Sequence, residues 1–310
     1  MVRTGVFGAT AEAGIYLALE RGYFEEQGLT VELVNVNSGV ETIQSLAAGQ
    51  LDVATGGVTA AFFNALARGV PIKMVVTADT QGPTASTAFL MVRADLLDSG
   101  EIADYADLRG RTLAVPARGA YAQYGADLAL RRGGLGLQDV EWAELPMGDM
   151  NAAFAGHAID AAVQVEPFAT LAAERGLANK WRGFGEIRSG LEGGAVFYGP
   201  GLTEEQPELG QRWMTAYLQG VRAYGAALRN GERDAVAAVL ARYTALRDVS
   251  LYDRIALPSL DPNGRIEEAT VIDLLGWYVA QGLVPAAVEP QQAIDSRFVA
   301  GAVQRLGRQK

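Results

Sequence analysis

Residues 47–66 read Ala-Ala-Gly-Gln-Leu-Asp-Val-Ala-Thr-Gly-Gly-Val-Thr-Ala-Ala-Phe-Phe-Asn-Ala-Leu, and this stretch constrains the fold most tightly. A helix is expected to end at Gly49, a short buried strand to run over 51–54, and a new helix to begin near Thr59 after the Gly56-Gly57 turn. Paired glycines between strand and helix let backbone come close to a bound group. The N–H groups of the first helical turn, with Thr59 as a cap, would face that group. Corners of this kind form small-molecule sites at the carboxyl ends of strands in α/β sheets. Taken alone, the stretch reads equally well as a tight connection.

Residues 154–162, Phe-Ala-Gly-His-Ala-Ile-Asp-Ala-Ala, repeat the pattern. Both copies run helix, glycine, spacer, aliphatic residue, Asp and small-residue strand. The second continues to Glu166-Pro167-Phe168, with proline in the first turn of the next helix. Two similar α/β units suggest two similar lobes.

The chain is long enough for two domains at 310 residues, of which 49% are hydrophobic and 20% charged. A net charge of −10 argues against a nucleic-acid partner. No apolar run reaches the length of a membrane span. There is no cysteine, hence no disulfide, thiolate metal site or Cys nucleophile, and the single His157 excludes a multi-His metal site. No cofactor is expected. The opening Met1-Val2-Arg3 goes directly into a strand, which fits either a chain whose targeting segment was removed or a cytoplasmic protein.

Strands are expected at 2–7, 30–35, 71–78, 87–92, 112–115, 140–145 and 193–198, with an edge strand over 181–187. Their alternation with helices implies a largely parallel sheet in each lobe. The polar segment 79–86 reads as a crossing point. From residue 204 the apolar period becomes three to four, with helices over 213–228, 235–243, 266–279 and 293–306, separated by Gly/Pro/Asn breaks. This helical tail is expected on the first lobe.

Several stretches together resemble the solute-binding proteins of ABC importers in the sulfonate, nitrate and taurine group, including relatives for thiamine-pyrimidine precursors. They are Ala18-Leu19-Glu20-Arg21-Gly22-Tyr23-Phe24-Glu25-Glu26-Gln27-Gly28-Leu29, Leu46-Ala47-Ala48-Gly49-Gln50-Leu51-Asp52-Val53-Ala54, Asp107-Leu108-Arg109-Gly110-Arg111, Gly156-His157-Ala158-Ile159-Asp160-Ala161, Val165-Glu166-Pro167-Phe168 and Ala280-Gln281-Gly282-Leu283-Val284. The resemblance implies an α/β, type II periplasmic-binding fold. Lobe 1 would comprise 1–85 and 194–310 with the helical tail, and lobe 2 would comprise 86–193. Hinges would lie near Thr84–Thr87 and Leu191–Ala195, and the lobes would close over a ligand. It further implies an extracytoplasmic monomer, periplasmic or membrane-anchored, whose partners are a small-molecule ligand, an ABC permease and its ATPase.

Turns at strand ends would converge on the cleft, bringing Thr10, Glu12, Asn37, Ser38, Gly57, Val58, Thr59, Asp79, Thr80, Arg118, Gly119, Ala120, Tyr121, Glu166 and Phe168. By the family pattern, helix starts after Gly57 and Gly119 offer donors from opposite lobes. Each charge-assisted bond to a carboxylate or sulfonate there would be worth roughly 1.5–3 kcal/mol. Alternatives stand beside these roles. Glu12 complements a helix dipole, and Ser38 caps a helix. Either Tyr121 or Tyr124 belongs to the core, Phe168 anchors its helix, Arg118 is a solvated charge, and His157 is an exposed turn residue. Arg118 favours an anionic head, whereas Glu12, Asp79 and Glu166 would repel one. Aromatic residues would stack on a planar ring. Enzymes on the same fold that act on small aromatic or sulfur compounds are the main rival class. The resemblance implies that those activities depend on cysteine and histidine, which this chain all but lacks. A regulator's sensing domain, the third class, would need a helix-turn-helix ahead of the first strand.

Overall fold

The structure is a computed structural model that describes residues 1–82, 86–286 and 288–309. Among the described residues, ten strands form two five-stranded sheets. The first sheet holds β1 (Val2–Val6), β2 (Val31–Asn35), β3 (Val53–Gly56) and β4 (Lys73–Thr80). The second holds β5 (Ala88–Arg93), β6 (Thr112–Val115), β7 (Glu141–Glu144), β8 (Ala161–Val165) and β9 (Ala178–Gly183). β10 (Glu192–Tyr198) returns to the first sheet. The strand orders are β2-β1-β3-β10-β4 and β7-β6-β8-β5-β9.

Each sheet has a parallel trio and a strand of opposite sense. β2-β1-β3 and β7-β6-β8 are parallel, while β10 and β5 run antiparallel to both of their neighbours. The parallel expectation therefore holds for three strands of each sheet. The antiparallel strand follows from the crossings, since a chain that enters from the other sheet runs in the opposite sense. The first expected hinge falls partly on residues 83–85, which lie outside the described residues. Near the second, β10 begins at Glu192. The expected edge strand is β9, displaced toward the N-terminus. Gly183 ends it, and a short helix over Phe184–Ile187 takes the remainder.

The tail builds mainly on the first sheet. The helix Pro207–Arg229 crosses Ala13–Glu20 where glycines meet, and a Cβ on Gly220 would lie 2.0 Å from Gly14 O. Trp213 is fully buried and stacks on Tyr217 with 5.4 Å between centroids. The helix Glu268–Ala280 reaches further than expected. Tyr278 Oη donates to Val58 O, whereas Trp277 Nε1 donates to Asp127 and Arg188 pairs with Asp273, both on the second-sheet side. The halves accordingly share an apolar cluster through Phe62, Phe63, Tyr121, Tyr124, Trp277 and Tyr278. Among the described residues, no helix is long and apolar enough to cross a membrane.

Candidate functional site

The carboxyl ends of β1 and β3 face those of β6 and β8, because the parallel trios of the two sheets point toward one another. Between them lies a cavity of about 90 Å³ lined by Thr10, Glu12, Thr55, Gly57, Thr59, Ala120, Tyr121 and Glu166, among others. Backbone bonds close it from opposite sides. Thr10 N donates to Glu166 O at 3.1 Å, and Ala60 N donates to Gly119 O at 2.8 Å. Thr59 and Ala120 form an antiparallel bridge. The two glycine corners thus meet.

Local chemistry explains each corner. Thr59 caps the helix Ala60–Ala67 by accepting from Phe62 N. Gly119 has φ +66°, where a side chain would be strained, and its N–H donates to Gln123 Oε1 at 2.8 Å. A Cβ on Gly57 would come within 2.8 Å of Tyr121 Cβ, so glycine is what lets the corners touch.

The two carboxylates in the lining are both buried and both engaged. Glu12 accepts from Phe7 N at 2.7 Å, Ala9 N at 2.9 Å, Tyr16 Oη at 2.6 Å and the Thr55 hydroxyl. Burial raises its pKa above the ordinary 4.5, against the pull of those four bonds. Glu166 pairs with Lys180 at 2.5 Å and accepts from Thr170 N and Oγ1. Thr10 Oγ1 is buried and, among the described residues, has no hydrogen-bond partner.

Other expected residues lie elsewhere. Arg118 is exposed and pairs with Glu144 at 3.1 Å, so it supplies no positive charge to the cavity. Asp79 is buried but turned away from the cavity. It accepts from Ser259 N, Gln81 Nε2 and the Thr87 hydroxyl, joining the tail to the start of β5. Thr80 is half-buried at the end of β4, where it pairs with Glu192. Val58 packs in the core, and its carbonyl accepts from Tyr278. Ser38 caps the helix Gly39–Ala47 through Glu41 N, while Glu41 accepts from Asn37 N. Tyr124 packs on Trp277, so of the two tyrosines Tyr121 is the one in the lining. His157 is exposed at φ 55°.

Asn37 and Phe168 line a second cavity of about 460 Å³ that also has Asn35, Asp149 and Arg247 on its walls. It adjoins the first, since Phe7 and Met147 line both. Sequence reasoning missed Phe7, Thr55, Thr87, Met147 and Val163 in the inner lining. The apolar ones carry no chemical signal, and only the position of Thr55 beside the glycine pair pointed to it. Among the described residues, no group of three or more His, Cys, Asp or Glu side chains could hold a metal.

A family model described as "NMT1/THI5 like" matches residues 9–226. No curated protein sequence matches the chain. Among solved structures, the alkanesulfonate-binding protein SsuA from Xanthomonas axonopodis pv. citri, bound to MOPS, is 19% identical with a TM-score of 0.76, covering 95% of this chain and 98% of that one. The periplasmic nitrate-binding protein NrtA from Synechocystis PCC 6803 is 14% identical with a TM-score of 0.80, covering 99% and 89%. A mutant form of DSZB in complex with biphenyl-2-sulfinic acid is 18% identical with a TM-score of 0.62, covering 98% and 100%. At these identities the likeness concerns the fold.

Proposed function

Since the chain belongs to the NMT1/THI5-like family, we propose that it captures a small organic solute in the inter-sheet cavity for an ABC importer. The solute would be a sulfonate, carboxylate or aromatic or heterocyclic compound, handed to a permease and its ATPase outside the cytoplasm. The observation that carries this reading is the meeting of strand ends from two sheets around a cavity closed by Thr10 N–Glu166 O and Ala60 N–Gly119 O. In this reading 1–85 with 194–310 and 86–193 are lobes that part at the two crossings to admit the solute. The protein acts as a monomer, and an export signal directs it to the periplasm or the outer face of the membrane. SsuA and NrtA, named for binding sulfonate and nitrate, support it by fold.

DSZB, a desulfurization enzyme, shares the fold and keeps catalysis in view. This chain has no cysteine, and its one histidine, His157, lies outside the cavity lining. That favours binding over turnover. The test is thermal shift against sulfonates, aromatic acids, nitrate and pyrimidines, followed by mass spectrometry of each mixture. The reading expects stabilisation by at least one solute and no product. Product formation, or no stabilisation across the panel, overturns it.

A further inference from the structure

The inner cavity differs in character from a site built for an anion. Of the 22 described residues that line it, none is Lys, Arg or His, and the charged ones are Glu12 and Glu166. Both carboxylates are buried, so a negative group beside them would be repelled through a medium that screens poorly. Two neighbouring cations are already paired. Lys180 binds Glu166 and is not in the lining, and Arg118 binds Glu144 at the surface.

The corner donors are also engaged. Ala60 N donates to Gly119 O and Gly119 N donates to Gln123 Oε1, while the Thr59 hydroxyl accepts from Phe62 N and keeps its own hydrogen to donate. Much of the remaining wall is apolar or small, including Phe7, Ala78, Ala88, Pro116, Met147 and Val163. An unpaired charge moved from water into such surroundings loses hydration worth several kcal/mol or more. A neutral group loses far less and gains apolar burial. Thr10 Oγ1 is a buried side-chain atom of this wall with no hydrogen-bond partner among the described residues, and it can serve a donor or acceptor on the ligand.

From this we infer that the inner cavity takes an uncharged, largely apolar end of the solute, with one polar atom matched to Thr10, and that any charged group stays outside it. The adjoining cavity is where such a group fits. It is larger and carries Asn35, Asn37, Asp149 and Arg247. This inference rests on the solute-capture reading and specifies which end of the solute enters first.

Pairs of probes that share a shape but differ in charge test it: dimethyl sulfone against methanesulfonate, and benzamide against benzoate. Affinity is read by calorimetry and location by co-crystallisation. In each pair the neutral member is expected to bind at least tenfold more tightly and to occupy the inner cavity. Benzoate, if it binds, is expected with its carboxylate toward Arg247. A sulfonate or carboxylate located among Glu12, Thr59 and Glu166, with affinity equal to its neutral partner, overturns the inference but leaves solute capture standing. Failure of both neutral probes to enter the cavity also overturns it. Turnover of any probe would instead sink the capture reading.

Discussion

At Gly57 the missing side chain matters more than any that is present. A Cβ there would stand 2.8 Å from Tyr121 Cβ, across the seam between the lobes. Gly57→Leu is expected to leave the far-ultraviolet circular dichroism unchanged while weakening solute binding at least tenfold, about 1.4 kcal/mol, in calorimetry. Unchanged affinity would place the site elsewhere. Glu12 supports a prediction of a different kind. Burial raises the pKa values of Glu12 and Asp79 above their ordinary 4.5 and 3.8. The folded state therefore holds their protons more tightly than the unfolded state, and stability falls as pH rises above those ordinary values. Exposed Asp107 and half-buried Asp139 are shifted down by backbone hydrogen bonds and act only below 3.8. Melting temperature should thus decline from pH 5 toward 7.5, and Glu12→Gln should flatten that slope. An equal slope in the variant would show that Glu12 does not titrate there. The same residues show how far a sequence exposes a site. Gly57, Thr59 and Gly119 are legible because a backbone requirement selects the residue type. Arg118 and Asp79 sit beside the cleft in sequence, yet their side chains turn to Glu144 and to Ser259 and Thr87, a choice made by neighbours distant in sequence.

Elements were more legible than side chains, since periodicity reports which face is buried. The helices Met147–Ala155 and Tyr121–Arg132 follow directly from apolar spacing and glycine stops. The reach of Glu268–Ala280 into both halves was not legible. Its apolar positions show that a face is covered without showing by what, and Trp277 Nε1 donates to Asp127, 150 residues away in sequence. The crossing of Ala13–Glu20 with Pro207–Arg229 makes a test at this scale. Because a Cβ on Gly220 would meet Gly14 O at 2.0 Å, Gly220→Ala must push the helices apart. Overpacking of this kind costs roughly 1–3 kcal/mol, to be read from urea unfolding. A neutral substitution would mean that the helices do not cross at these glycines.

For the whole molecule, the account requires that the halves separate and rejoin, although a shared apolar cluster and the bonds at Thr10 and Ala60 now hold them together. Thr59 and Ala120 face each other in an antiparallel bridge. Such pairs have Cα atoms about 4.5–5.5 Å apart, within disulfide range. In a chain without native cysteine, Thr59→Cys with Ala120→Cys can lock the seam cleanly. Oxidation of that double variant is expected to slow solute association and release at least tenfold, with recovery on reduction. Identical rates in both redox states would show that entry does not need the lobes to part. The most direct measurement is a crystal structure of the protein with a solute identified by the binding panel. The account places that solute in the inner cavity, touching Thr10 or Thr59 from one half and Tyr121 or Glu166 from the other. Density confined to one half, or lying outside the seam between Gly57 and Tyr121, would contradict it.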